Sequence, residues 1–164
     1  MARLAVRTGV AVVLAVLAGT AARPATAHAD NKRLNDSVVA NVYTIQHHAG
    51  CTGNIKIDPL LQRAAEWHTD DVLENRDING DIGSDGSTPQ SRAVAAGFRG
   101  TVAETVAINP AVAINGIDIL NQWYYDPAAF AIMSDCANTL MGVWSANSLD
   151  RSVVVAVYGK PAQT

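Results

Sequence analysis

Few side chains in this 164-residue chain have the type and spacing to do chemistry. Glu104 lies in VAETVAI (102–108), where Val102, Val106 and Ile108 alternate onto one face, so its carboxylate turns toward the buried side. Desolvation would raise its pKa and prepare it for general acid or base work. A neighbouring donor would instead make it a structural hydrogen-bond hub. His68 shares a helical face with Leu61, Ala64, Ala65 and Val72. There an imidazole is either a neutral core group bonded to backbone or a helper to a nearby acid. The loop RDINGDIGSDGST (76–88) puts Asp77, Asn79 and Asp81 at the alternating spacing that opens a calcium loop. Ile82 then stands where the sharp turn needs Gly, and Thr88 where a bidentate Glu belongs. His47 and His48 are adjacent on a helix and point in different directions, which makes them a poor ligand pair. GSDGS (83–87) lacks the GxSxG spacing, and no Walker A or GxGxxG sequence occurs, so phosphate and dinucleotide chemistry are unsupported.

The elements that must position these groups are well punctuated. Leu34, Val38, Val42 and Ile45 recur at helical spacing from about Lys32 to His48, with Gly50 as a stop. Asp58 and Pro59 cap and open a second helix, and Thr88 and Pro89 a short third one that Gly97 ends. Asn109 and Pro110 repeat the signal, which predicts a helix from there to about Tyr125, before Asp126 and Pro127. Strand patterns cover 102–108, 139–145 and 152–158, the last two joined by a short polar turn near Asn147 as an antiparallel hairpin. The polar stretch from Asn75 to Ser87 has no apolar period and reads as a loop. Together these predict one α+β domain over residues 30–164, with helices covering a small, mainly antiparallel sheet.

The first 29 residues read differently. Arg3 and Arg7 supply a positive n-region, Val10 to Ala18 is an unbroken apolar run, and Ala25, Ala27 and Ala29 follow as small residues. This is the pattern of a cleavable secretory signal, with cleavage after Ala29 preferred and after Ala27 the alternative. The apolar stretch between Arg7 and Arg23 is shorter than the ~20 residues a membrane-spanning helix needs. Because the segment holds Arg3, Arg7 and Arg23 and no acid, the rest of the chain keeps nine of the 12 basic residues against all 15 acidic ones, a net −6. That charge opposes nucleic-acid binding and adhesion to anionic membranes. Export to an oxidising compartment favours a Cys51–Cys136 disulfide over two separate buried thiols. Closing so long a loop would stabilise by about 4–5 kcal/mol in the chain-entropy model. Without a CxxC motif, a structural zinc site is not indicated.

The order of segments resembles the CAP superfamily of cysteine-rich secretory, antigen 5 and pathogenesis-related proteins in its bacterial SCP-like form. The resemblance rests on six stretches in order. VVANVY carries Asn41; DPLLQRAAEWHTDDV (58–72) is similar to the family helix with two alanines and a His. DIGSDGSTPQSRAVAAGF (81–98) is similar to the family's His-x-Gly-Ser-Asp-Gly-Ser, Pro, Arg, Ala-Gly-aromatic signature. AETVA (103–107) resembles Glu-Asn-x-Ala, WYYDPAAF (123–130) the helix end before Pro-Gly-His, and TLMGVW with SVVVAVYG the closing hairpin.

The resemblance implies an α-β-α sandwich and a central cleft, in which family members join two histidines and one or two glutamates that can hold a divalent cation such as zinc. Here Asp81 stands at the first histidine position and Ala129 at the second. Glu104 keeps its family place, Thr105 replaces the neighbouring Asn, and Asp126 is placed to serve as a second acid. Asp81, Glu104 and Asp126 would present only oxygen, which does not suit zinc, so no metal and no cofactor is expected. The functional expectation is a secreted or cell-envelope, disulfide-bonded binding protein without enzymatic activity. Its ligand would be a lipid, a sterol or a protein, since relatives bind such molecules, and three acids would oppose an anionic headgroup in the cleft. The alternatives are a weak hydrolase using Glu104 as general base with His68 as helper, and a module that engages partners only through its surface.

Overall fold

Helix starts are set by local chemistry. In the computed structural model, which describes residues 31–110 and 115–162, the side chain of Asp58 accepts from the Leu60 and Leu61 N–H groups to open α2 (Pro59–Glu74). Thr88 forms a capping box with Ser91 to open α3 (Pro89–Ala96), which stops at Gly97 in the left-handed conformation (φ 100°). The first helix, α1 (Lys32–His48), has the predicted bounds. The expected signal segment, residues 1–29, lies outside the described residues.

Two helix expectations need correction. The step at Asn109–Pro110 does not cap a helix: Asn109 pairs with Ser152 at the end of a strand, and ladder pairing overrides the Asx-Pro signal. The helix α4 (Gly116–Tyr124) starts instead at Asn115, whose side chain accepts from Ile117 and Asp118 N–H. Asp126–Pro127, expected to follow the end of that helix, opens another: Asp126 accepts from Ala129 N–H and starts α5 (Pro127–Ser134). The same Asx-Pro chemistry is thus a strand end at one site and a cap at the next, decided by tertiary pairing.

The sheet has the order β1 (Lys56–Ile57), β3 (Leu140–Asn147), β4 (Ser152–Pro161), β2 (Gly100–Asn109). β4 pairs antiparallel with both β2 and β3, whereas the two-residue β1, too short to show alternation, pairs parallel with β3. β4 is central and buried on both faces, which explains its continuous apolar run. Val154, Ala156 and Tyr158 pack under α1, α4 and α5 with Val42, Ile119, Trp123 and Met133. Val153, Val155 and Val157 pack under α2 and α3 with Leu61, Ala64, Ala65 and Ala93. The result is an α-β-α sandwich. A Cβ on Gly142 would strike the backbone of Leu61 and Gln62, so a bare glycine lets α2 lie directly on β3. On the opposite layer the Cys51–Cys136 disulfide, with Cα atoms 5.2 Å apart, ties the end of α1 to the end of α5.

Candidate functional site

The α2/α3 layer buries a charged group. α2 presents His68, α3 presents Arg92 and β2 presents Glu104, and the three converge beneath the loop that joins α2 to α3. Arg92 Nη2 donates to Glu104 Oε1 at 2.9 Å and to the Asp81 carbonyl at 2.7 Å. Its Nη1 donates to the Ser87 carbonyl at 2.8 Å and to Ser87 Oγ at 3.0 Å. His68 Nε2 lies 2.9 Å from the Gly80 carbonyl and 3.4 Å from Glu104 Oε1. A carbonyl can only accept, so the imidazole proton sits on Nε2. The side chains of His68 and Glu104 are 0% exposed, and that of Arg92 6%.

Burial sets the protonation states. Removal from water pushes the Glu104 carboxyl up to about 8, against the opposing pull of the Arg92 charge and hydrogen bond, and the charge of Asp81 adds to the rise. Burial also lowers His68 below its ordinary value, outweighing the Gly80 hydrogen bond, and Arg92 lowers it further. At neutral pH the group is therefore a neutral imidazole, a largely protonated carboxyl and a guanidinium whose charge is met by two backbone carbonyls. His68 Nδ1, Arg92 Nε and Glu104 Oε2 have no hydrogen-bond partner among the described residues.

Nearer the surface, Asp71 Oδ2 stands 4.0 Å from His68 Nδ1. It accepts from Ser84 N–H at 2.8 Å, and its Oδ1 accepts from Ser84 Oγ at 2.5 Å and from Asn75 Nδ2 at 2.7 Å. These bonds hold the Asp71 carboxyl below the usual range. Thus Gly80, Asp81, Ser84 and Ser87, spread along one polar loop, are each tied to this buried group or to Asp71. A shallow groove of about 540 Å³, whose lining includes Trp67, Asp71 and Arg92, opens outside it.

The sequence-predicted residues meet in part. Glu104 and His68 are neighbours. Asp81 contributes its backbone carbonyl through Arg92. Asp126 spends its carboxylate on the start of α5. The calcium-like loop is closed on itself by Gly83 N–H to Ser87 O and Gly86 N–H to Gly83 O, each 2.9 Å. Among the described residues no three His, Cys, Asp or Glu side chains form a group able to hold a metal ion. His47 packs on Tyr43 with ring centroids 4.2 Å apart. Arg92 is the member that sequence reasoning passed over. Its signal was a lone cation inside a short helix of buried alanines, in the stretch that resembles the family signature. Across the sheet, Thr105 Oγ1 and Tyr158 Oη share a buried 3.1 Å hydrogen bond, and Trp123 Nε1 donates to the Val106 carbonyl at 3.1 Å, fixing α4 to β2.

The architecture is that of the CAP, or SCP, fold. An outer surface protein of Borrelia burgdorferi superposes with a TM-score of 0.70 at 18% identity, covering 81% of this chain and 96% of that one. An extracellular protein of Bacillus anthracis that contains an SCP domain gives 0.66 at 12% identity over 79% of this chain and 41% of that one. A cysteine-rich secretory protein of Staphylococcus aureus gives 0.62 at 11% identity over 81% and 40%. No family model matches the sequence, and no curated protein is similar to it.

Proposed function

We propose that this chain is a secreted, disulfide-bonded CAP-like domain that works by binding at the cell envelope or outside the cell, and not by catalysis. Residues 1–29 are its cleavable signal, removed after Ala29, and residues 30–164 are the working domain. The observation that carries the reading is the complete burial of Glu104 and His68. A general base must come within hydrogen-bond reach of the proton it takes, and among the described residues these two groups reach only Arg92, the Gly80 carbonyl and each other. Asp81 and Ala129 occupy the places of the family's cleft histidines, and the acids that remain serve Arg92 and a helix cap, so the domain binds no zinc there. What the group does instead is hold the α2–α3 loop. The ligand is a protein, lipid or sterol, and the acids near the former cleft disfavour an anionic headgroup.

The raised pKa of Glu104 and its 3.4 Å approach to His68 are the features that a hydrolase reading would use. The substitution Glu104→Gln separates the two. The chain is secreted from an exporting host without reductant, then assayed against ester, glycoside and peptide substrates and weighed by native mass spectrometry. We expect no turnover that the variant removes, and a retained ligand mass or a partner recovered with both forms. Turnover by the wild type that a folded Glu104→Gln protein lacks would overturn the reading.

A further inference from the structure

We infer that the open edge of β3, in the slot between α1 and α2, binds an extended polypeptide segment carrying a basic side chain, which adds a strand to the sheet. β1 covers only Leu140 and Met141 of β3. Its lane then empties, because the chain leaves at Asp58 to start α2. The parity of β3 is fixed by bonds leaving its outer edge: Lys56 N–H donates to the Thr139 carbonyl and Asp58 N–H to the Met141 carbonyl, each at 2.9 Å, and Asn31 Nδ2 to the Ser145 carbonyl at 2.8 Å. Odd-numbered residues therefore turn their backbone groups away from β4. Among the described residues, no strand lies beside the N–H and C=O of Val143 and the N–H of Ser145, which face the slot.

The slot is a groove of about 660 Å³, walled by Val39 of α1, Gln62 and Glu66 of α2, and Ile57 and Trp144 of the sheet. Its chemistry selects the occupant. A hydrocarbon chain or sterol would leave the outward backbone groups of Val143 and Ser145 without partners, whereas an extended backbone pairs with them in series, as in strand addition. The exposed Ile57 and the flanking Trp144 offer apolar contact to alternate side chains of such a strand. The charges choose among peptides. Lys32 and Asp36 pair with each other at 2.6 Å across one rim, while half-buried Glu66 on the other wall has no ion-pair partner among the described residues. A Lys or Arg of the incoming segment completes it. The inference rests on the reading of the chain as a binding domain, but uses a different place from the former cleft.

The test is selection of a displayed library of random dodecapeptides on the secreted, oxidised chain, with counter-selection on the Glu66→Lys variant. Glu66 is part-exposed on a helix, so the variant keeps its fold, which circular dichroism checks. Enriched peptides should carry Lys or Arg at one position and lose affinity at least about ten-fold on Glu66→Lys. In the free protein the amides of Val143 and Ser145 should exchange with deuterium faster than those of Gly142 and Trp144, and a bound peptide should slow them. Peptides without a basic position, protection elsewhere, or no enrichment over the counter-selected pool would overturn the inference. So would a dimer in sedimentation whose interface protects the same amides. If a ligand mass is retained by the native protein while no peptide is selected, the binding reading stands and only this site falls.

Discussion

The two layers that sandwich the sheet are held by different physics. Over one face, α1, α4 and α5 bury Val38, Val42, Ile119, Trp123 and Met133, and a disulfide fastens the ends of α1 and α5. Over the other, α2 and α3 present Ala64, Ala65, Ala93 and Ala96, small residues that bring the helices close to the strands. They leave room for His68, Arg92 and Glu104 beneath a loop with almost no apolar side chains of its own. The first layer is stabilised by area removed from water and by a covalent tie. The second uses a buried cation to collect carbonyls from the Asn75–Ser87 loop, which hydrophobic contact alone could not order. The buried His68, Arg92 and Glu104 group here serves as a loop anchor.

Breaking the covalent tie should have the largest effect. The Cys51→Ser, Cys136→Ser pair frees a separation of 85 residues and should cost about 4–5 kcal/mol in the chain-entropy account. Urea unfolding of the pair against oxidised wild type measures it, and superimposable curves would show that the apolar layer stands without its staple. In the other layer, Arg92→Met leaves Glu104 buried without its donor and releases the Ser87 and Asp81 carbonyls. Because Glu104 is largely protonated at neutral pH, no bare charge is left behind, and the loss of the guanidinium's hydrogen bonds should cost about 1.5–3 kcal/mol. A double variant, Arg92→Met with Glu104→Leu, should recover part of that loss, because both polar partners go together. If the double variant is as unstable as the sum of the singles, the two side chains do not act as a pair.

Much of this contrast was legible in the sequence, for identifiable reasons. Helix α1, the caps at Asp58 and Thr88, the stop at Gly97 and the β3–β4 hairpin all rest on local chemistry, and each sits where that chemistry puts it. Glu104 was legible as a buried acid because strand alternation alone turns it inward. What was not legible depended on pairing between distant segments. Asn109 carries a cap signal but is claimed by Ser152, and β1 is too short for any period. Arg92 was missed because a single cation on a short helix reads as surface until the loop that folds over it is known.

The pH dependence of stability sharpens the comparison, since the apolar layer contributes no buried titrating group near neutrality. Glu104, raised to about 8 in the folded protein, starts from an ordinary value of 4.5. Between these the folded chain holds a proton that the unfolded chain has released. Stability therefore falls as pH rises through that window, by up to about 1.4 kcal/mol per pH unit, and levels off above it. His68 has the opposite sign: its folded pKa is lowered, so below 6.5 the unfolded chain takes up a proton that the folded one refuses, and stability falls as pH drops. The two slopes oppose each other on the acid side, leaving the Glu104 slope between pH 6.5 and 8. Glu104→Gln should flatten that interval in urea midpoints taken at successive pH values. An unchanged slope in the variant would mean that the carboxyl is already ionised against Arg92.

The smallest effect belongs to a side-chain pair of hydroxyls buried in the apolar layer. Tyr158 Oη and Thr105 Oγ1 are 3.1 Å apart, and Tyr158 is fully buried at the centre of the sheet. Tyr158→Phe keeps the ring and removes the hydroxyl, so the packing under α1, α4 and α5 is preserved and only the hydrogen bond is lost. The expected cost is about 1 kcal/mol. Thr105→Val leaves the tyrosine hydroxyl buried without its partner, just as Tyr158→Phe leaves that of Thr105, and should cost a similar amount. Thermal melts of the two variants side by side decide it. If both are neutral, the apolar layer tolerates an unpaired hydroxyl, and the contrast with the charged layer, where every variant that orphans Arg92 or Glu104 is costly, becomes one of dielectric surroundings as well as of contacts.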